Sequence, residues 1–218
     1  MLVRRLLGLL LVVCLGSAAE AGERPKITVL TVGWTGAGKG TAGKILARQL
    51  RDAGVSASHF SGGDHLRGIA RSMARNPDDP GQVARAFGVA LKTIKGKSQV
   101  TLMQDALGHD LPDVVVIDGP RSPTDVAALR DDVPSLIVVA LDAPAPVRER
   151  RLADRARDAH ESAASVERRD RKDTHRGLPE VLAGADVHVD SSRGIPALTR
   201  DLRPLAARIR GELGREAH

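Results

Sequence analysis

The sequence predicts a three-layer α/β domain around a parallel five-stranded sheet, and three observations carry that prediction. Short runs rich in Val, Ile and Leu alternate along the chain with stretches of helical periodicity, the pattern of strand–helix–strand crossovers. Several of these runs are apolar at every position, as strands covered by helices on both faces must be. With one Trp, two Phe and no Tyr among 218 residues, the core has to be aliphatic, which suits buried strands and Ala-rich helices. A hydrophobic fraction of 42% and a charged fraction of 28% fit one globular domain with an ample core.

Met1 to Ala21 reads as a secretory signal or N-terminal anchor: Arg4 and Arg5, an apolar stretch Leu6 to Leu15, then the small-x-small site Ala19, Glu20, Ala21. The stretch is too short to span a bilayer stably, and Val13 before Cys14 makes a poor lipoprotein site. Cleavage after Ala21 would remove the one cysteine, leaving neither disulfide nor thiol chemistry. A signal points to export, whereas a start codon assigned too early would leave the protein in the cytoplasm. Residues 22–218 then form the folded domain.

Ile27 to Val32 is the first strand and Gly40 to Asp52 a helix stopped by Gly54; Val55 to Phe60 is the second strand. Ser61 opens a helix to about Arg75, and Asn76 to Gly81, NPDDPG, is a loop. Gln82 to Leu107 is helical with an interruption near Gly96. Asp113 to Ile117 is a buried strand ending in Asp118 and Gly119; Pro123 to Leu129 is a helix and Leu136 to Leu141 another strand. Pro146 to Asp173 is Arg-rich and helical, Val187 to Val189 a last short strand, and Ile195 to Leu213 a closing amphipathic helix.

The chemistry centres on Val29 to Thr41, VLTVGWTGAGKGT. Glycines after a strand let the backbone turn its amides inward, and the following helix adds free N-terminal donors and its positive dipole end. Such a P-loop cradles nucleotide phosphates with Gly33, Thr35, Gly36, Ala37, Gly38, Lys39, Gly40 and Thr41. Lys39 supplies the point charge for the outer phosphates, and the Thr41 hydroxyl serves phosphate or the magnesium shell. ATP with Mg2+ is the expected cofactor pair. Gly40 stands where the general motif has Ser or Thr, so the hydroxyl comes one residue late.

Asp118, at the carboxyl end of a buried strand, can hold magnesium through water, or it caps a turn. Arg121 can fork onto a substrate phosphate. Arg148, Arg151 and Arg155 share a helical face and, with Arg157, Arg169 and Arg171, form either a mobile lid over about 146–175 or a solvated face balanced by Glu149, Asp154, Asp158 and Asp170. The seven histidines show no metal-ligand spacing, and Trp34 inside the loop either covers the nucleotide or packs. The formal charge of +6 suits an anionic partner, but so few aromatics speak against stacking on nucleic acid bases.

The form GxxGxGKGT, Gly33 to Thr41, resembles the loop of adenylate kinase and other nucleoside monophosphate kinases, and GGDHLR resembles their GDxLR stretch. The resemblance implies that Asp64 joins the magnesium water shell and Arg67 grips the acceptor phosphate. VVIDGPRSPTDVAAL, the strand and helix LIVVALDAPAPVRERRLADRARD, then ERRDRKD and GLPEVLAGADVHV resemble an archaeal group of dephospho-CoA-kinase-related P-loop proteins. Similarity runs from about Lys26 to Val189 and implies the nucleoside monophosphate kinase fold with an Arg-rich lid. It also implies transfer to a small nucleotide-type acceptor, with Arg151 and Arg155 closing from the lid. GKGT favours a nucleoside monophosphate acceptor. The DGxRS element leans toward a hydroxyl acceptor of the dephospho-CoA type, for which Asp64 would take the proton. An ATP-binding switch and an inactive exported nucleotide-binding protein are the remaining readings.

Overall fold

The computed structural model describes residues 24–154 and 163–216. The expected leader, Met1 to Ala21, and the expected lid residues Arg155 and Arg157 lie outside the described residues. The strands are β1 (Ile27–Val32), β2 (Ala57–Ser61), β3 (Val114–Asp118), β4 (Leu136–Asp142) and β5 (Val187–Asp190). They form one parallel sheet in the order β2-β3-β1-β4-β5. The helices are α1 (Lys39–Asp52), α2 (Gly62–Met73), α3 (Pro80–Thr93), α4 (Gln99–Leu107), α5 (Pro123–Asp132), α6 (Ala145–Asp154), α7 (Ala163–His175), α8 (Leu178–Ala183) and α9 (Ile195–Glu216). Among the described residues no helix is long and apolar enough to cross a membrane.

Alternation along each strand divides the core into two layers. Ile27, Val29, Val116 and Val139 face α1 and α9, where Leu46, Leu50, Leu202 and Ile209 fill the space. Leu30, Ile117 and Val138 face α4, α5 and α8, against Met103, Leu129 and Val181. All six residues of β1 are buried, which is why its sequence is apolar apart from Thr28 and Thr31. A third, smaller cluster joins α2 to α3 through Leu66, Ala70, Ala90 and their neighbours Ile69 and Phe87.

The structure moves several expected boundaries for local reasons. β2 starts at Ala57 rather than Val55, because the Val55 N–H donates to Leu50 O at 2.9 Å and closes the end of α1 around Gly54, φ 81°. α3 begins at Pro80, inside the expected loop: Asp79 caps it and proline suits the first helical position. The expected interruption near Gly96 separates α3 from α4, and Ser98 caps α4 by accepting from the Thr101 N–H. The helix α8 has no counterpart in the sequence reading, since six residues are too few for a periodicity to register. α9 continues through Pro204 to Glu216.

Candidate functional site

Five parallel strands present their carboxyl ends on one edge, and the chain reverses direction across the sheet beside β1, the place where open α/β sheets bind ligands. Register puts Thr31 of β1, Ser61 of β2 and Asp118 of β3 side by side at that edge. The glycine-rich loop leaves β1 here. At Gly36, φ 86°, a Cβ would lie 2.9 Å from the backbone oxygen and the Cβ of Arg148, so α6 packs directly on the loop backbone. At Gly33 a Cβ would meet Leu141 O at 2.9 Å, which closes the other side against β4.

Lys39 folds back over the loop, its ammonium donating to Gly33 O at 2.8 Å and Trp34 O at 3.0 Å. Gly38 is the N-cap of α1, with no side chain bonded to the first-turn donors and no acidic residue in that turn. A positive helix end and an ammonium therefore share one rim, an arrangement that attracts phosphate. Ser191 ties the loop to the end of β5, its hydroxyl donating to Ala37 O at 2.8 Å and Asp142 O at 3.0 Å.

Asp118 stands on the floor, its side chain 13% exposed. Each carboxylate oxygen has a donor: Ser61 Oγ on Oδ1 at 2.9 Å and His59 Nε2 on Oδ2 at 3.2 Å. The Ser61 hydroxyl also accepts from the Asp64 N–H at 3.3 Å, which makes Ser61 the cap of α2 and puts Asp64 in the first turn, not at the cap. Asp64 pairs with Arg67 on the same helix.

One cleft of about 900 Å³ joins these parts. Its loop side includes Thr35, Gly36, Gly38, Lys39, Gly40 and Thr41; Asp118 forms the floor. Opposite lie Asp64, Arg67 and Arg121, with Arg169 and Lys172 from α7 and Arg176 from the turn that follows it. An apolar wall of Phe87, Leu91, Ile94 and Leu102 completes it. A single carboxylate and a hydroxyl, Asp118 and Thr41, fit magnesium, which keeps most of its waters and needs few protein ligands.

The arginines divide by role. Arg121 is anchored, donating to Asp173 Oδ2 at 3.1 Å; Asp173 is nearly buried and also faces Arg176 at 3.8 Å. Arg148 is 5% exposed and is no part of a solvated face. It forks onto Asp170 at 3.0 and 2.7 Å, donates to Thr35 O and Ala143 O at 3.1 Å, and lies 6.0 Å from the centre of the Trp34 ring. Trp34 is thus packed beneath an arginine. Arg151 sits outside the cleft lining, bonded to Ser191 O and 3.5 Å from the Gly36 and Ala37 carbonyls.

The sequence reading missed His59, Lys172, Asp173 and Arg176. His59 carries no motif. The group at the end of α7 does carry a signal, because Arg169, Lys172 and Asp173, with Arg176 just past the helix, follow the spacing of one helical face.

A family profile described as an AAA domain matches residues 32–167. A UPF0200 protein of Methanoculleus marisnigri is 28% identical over 189 residues, covering 83% of this chain and 95% of its own. A UPF0200 protein of Thermococcus sibiricus is also 28% identical, covering 83% and 94%. Among solved structures, a candidate kinase from Chloroflexus aurantiacus superposes with a TM-score of 0.54 at 18% identity, over 89% of this chain and 99% of that one. Shikimate kinase from Bacteroides thetaiotaomicron gives 0.49 at 13% identity, over 84% and 98%.

Proposed function

Since the chain belongs to the AAA domain family and has a P-loop kinase-like fold, we propose that it transfers the terminal phosphoryl group of ATP to a small nucleotide-type acceptor, a nucleoside monophosphate foremost. The observation that carries the reading is the single cleft in which a phosphate cradle faces a second set of cations across Asp118. A switch that only binds and hydrolyses ATP has no need of that second set.

Phosphoryl transfer asks for positioning and charge stabilisation rather than covalent chemistry. The loop amides and Lys39 would hold the outer phosphates of ATP. Arg67 and Arg121 would bind the acceptor's phosphate, with Arg169 and Lys172 of α7 and Arg176 just beyond it adding charge on the same side of the cleft. Thr41 and Asp118 would hold Mg2+, with Asp64 joining its water shell; the ion would neutralise charge on the transferring group when bound. The apolar wall of Phe87, Leu91, Ile94 and Leu102 supports an acceptor with a flat base over one that is all hydroxyls. A nucleoside monophosphate is already anionic and requires no general base. Arg151, outside the cleft lining and bonded to the Ser191 carbonyl beside the loop, would act by stiffening the cradle.

The test is ADP release with Mg2+ and ATP, screened against AMP, CMP, UMP, dTMP, GMP and dephospho-CoA. One acceptor should raise release strongly, and Lys39→Ala should lower that rate by about 100-fold or more. ATP binding without release for any acceptor would overturn transfer in favour of a switch or a binding protein. Release with dephospho-CoA alone would move the acceptor to a hydroxyl.

A further inference from the structure

Helix α1 carries two glycines one turn apart, Gly40 and Gly43, on the side facing β2 and β3. A Cβ at Gly43 would lie 2.3 Å from His59 Cδ2 and 2.7 Å from His59 Nε2. One at Gly40 would lie 3.3 Å from Asp118 Oδ2 and 3.9 Å from His59 Cε1. The histidine side chain is 9% exposed, and an imidazole ring has no flexible far end to swing aside. The pair of glycines thus makes a slot, and the ring lies in it. Glycine within a helix is disfavoured relative to alanine, so a helix that keeps it at Gly43 keeps it for space.

What the slot achieves is orientation. Asp118 ends β3 with its carboxylate free to turn about a broad, two-fold torsion. Ser61 Oγ and His59 Nε2 take one oxygen each and fix the plane, leaving the remaining lone pairs to the cleft. Magnesium demands near-ideal octahedral geometry, so the plane of an acidic partner matters more here than for a looser cation. His59 itself is absent from the cleft lining.

We propose that His59 is a positioning residue for phosphoryl transfer: seated in the Gly40–Gly43 slot, it holds the Asp118 carboxylate in the orientation that receives the magnesium shell of the bound nucleotide. The proposal rests on the phosphoryl-transfer reading for its purpose, but its test does not depend on transfer. His59 donates a hydrogen bond and no proton leaves it.

The experiment titrates Mn2+, visible by electron paramagnetic resonance, into the complex of the full chain with a non-hydrolysable ATP analogue, and measures metal-free affinity for that analogue by calorimetry. His59→Leu fills the slot but donates nothing. It should weaken Mn2+ about 10-fold or more, the usual effect of losing a partner behind a metal site, with metal-free nucleotide affinity unchanged. His59→Gln keeps a donor at similar reach and should recover most of the loss. Gly43→Ala, which displaces the ring, should reproduce the His59→Leu loss. In a His59→Ala background it should add nothing, because no ring remains to displace. Unchanged Mn2+ affinity in His59→Leu would overturn the proposal. Equal losses of Mn2+ and of metal-free nucleotide affinity would also overturn it, marking His59 as a support of the whole cradle. Failure of every acceptor to stimulate ADP release, with these shifts intact, would remove the kinase reading and leave His59 as the orienter of a nucleotide–metal site.

Discussion

Replacing Arg148 by methionine strips donors from Asp170 and from the Thr35 and Ala143 carbonyls at once. Breaking a fully buried pair from one side costs about 3–5 kcal/mol; Asp170 is 23% exposed and can be partly rehydrated, so a smaller loss is expected, which urea unfolding would register. Arg148→Met with Asp170→Leu should cost less than Arg148→Met alone, because no orphaned carboxylate remains. These partners were illegible in the sequence for a plain reason: Arg148 meets Thr35 from 113 residues away, and nothing local distinguishes it from the exposed Arg150 two positions on. Lys39 and Asp118 were legible because a strand and a glycine loop locate them, whatever the rest of the chain does. His59 was not, since its place is made by glycines on another element.

The loop and α6 behave as one unit, backbone against backbone at Gly36. Gly36→Ala combines a positive φ with a contact that cannot yield, and should lower nucleotide affinity at least 10-fold by calorimetry while β1 and α9 stay protected from amide exchange. At the end of α7 and just beyond it, Lys172→Glu and Arg176→Glu should raise the acceptor's KM about 10-fold or more, the scale of losing a hydrogen bond to a charged group, with ATP affinity little changed. At the start of α3, Asp79 accepts from the Gln82 side chain first and then from the Gln82 and Gly81 amides, which holds its carboxyl below the usual range. The cap therefore supports α3 fully above the ordinary carboxylate pKa and is lost as pH falls through the lower folded value, so acid should speed amide exchange in the first turn of α3. The inner strands β1, β3 and β4 were the most readable elements because burial on both faces leaves a nearly unbroken apolar run. Boundaries set by caps were less so: Val55 reads as strand, yet its N–H is taken by the end of α1.

Across the whole molecule two largely aliphatic layers sandwich the sheet, and the one formed with α1 and α9 lies mostly away from the cleft. Leu202→Ala, fully buried between α9 and the sheet, should cost about 2–5 kcal/mol in urea unfolding, while the folded fraction keeps its acceptor preference. The cations of the cleft attract anions from solution, so the acceptor's KM should rise with added salt, and more steeply than the unfolding free energy changes. Sheet order was not legible from the sequence alone, because parallel strands of equal apolarity carry no label for their neighbours. One last consequence comes from the composition and a single contact. The chain has one indole and no phenol, and that indole sits in the phosphate loop beneath Arg148. Its ultraviolet emission is therefore a built-in optical gauge of the loop. Titrating ATP should shift that emission saturably in the unmodified chain and leave it flat in Lys39→Ala, giving a label-free readout of occupancy.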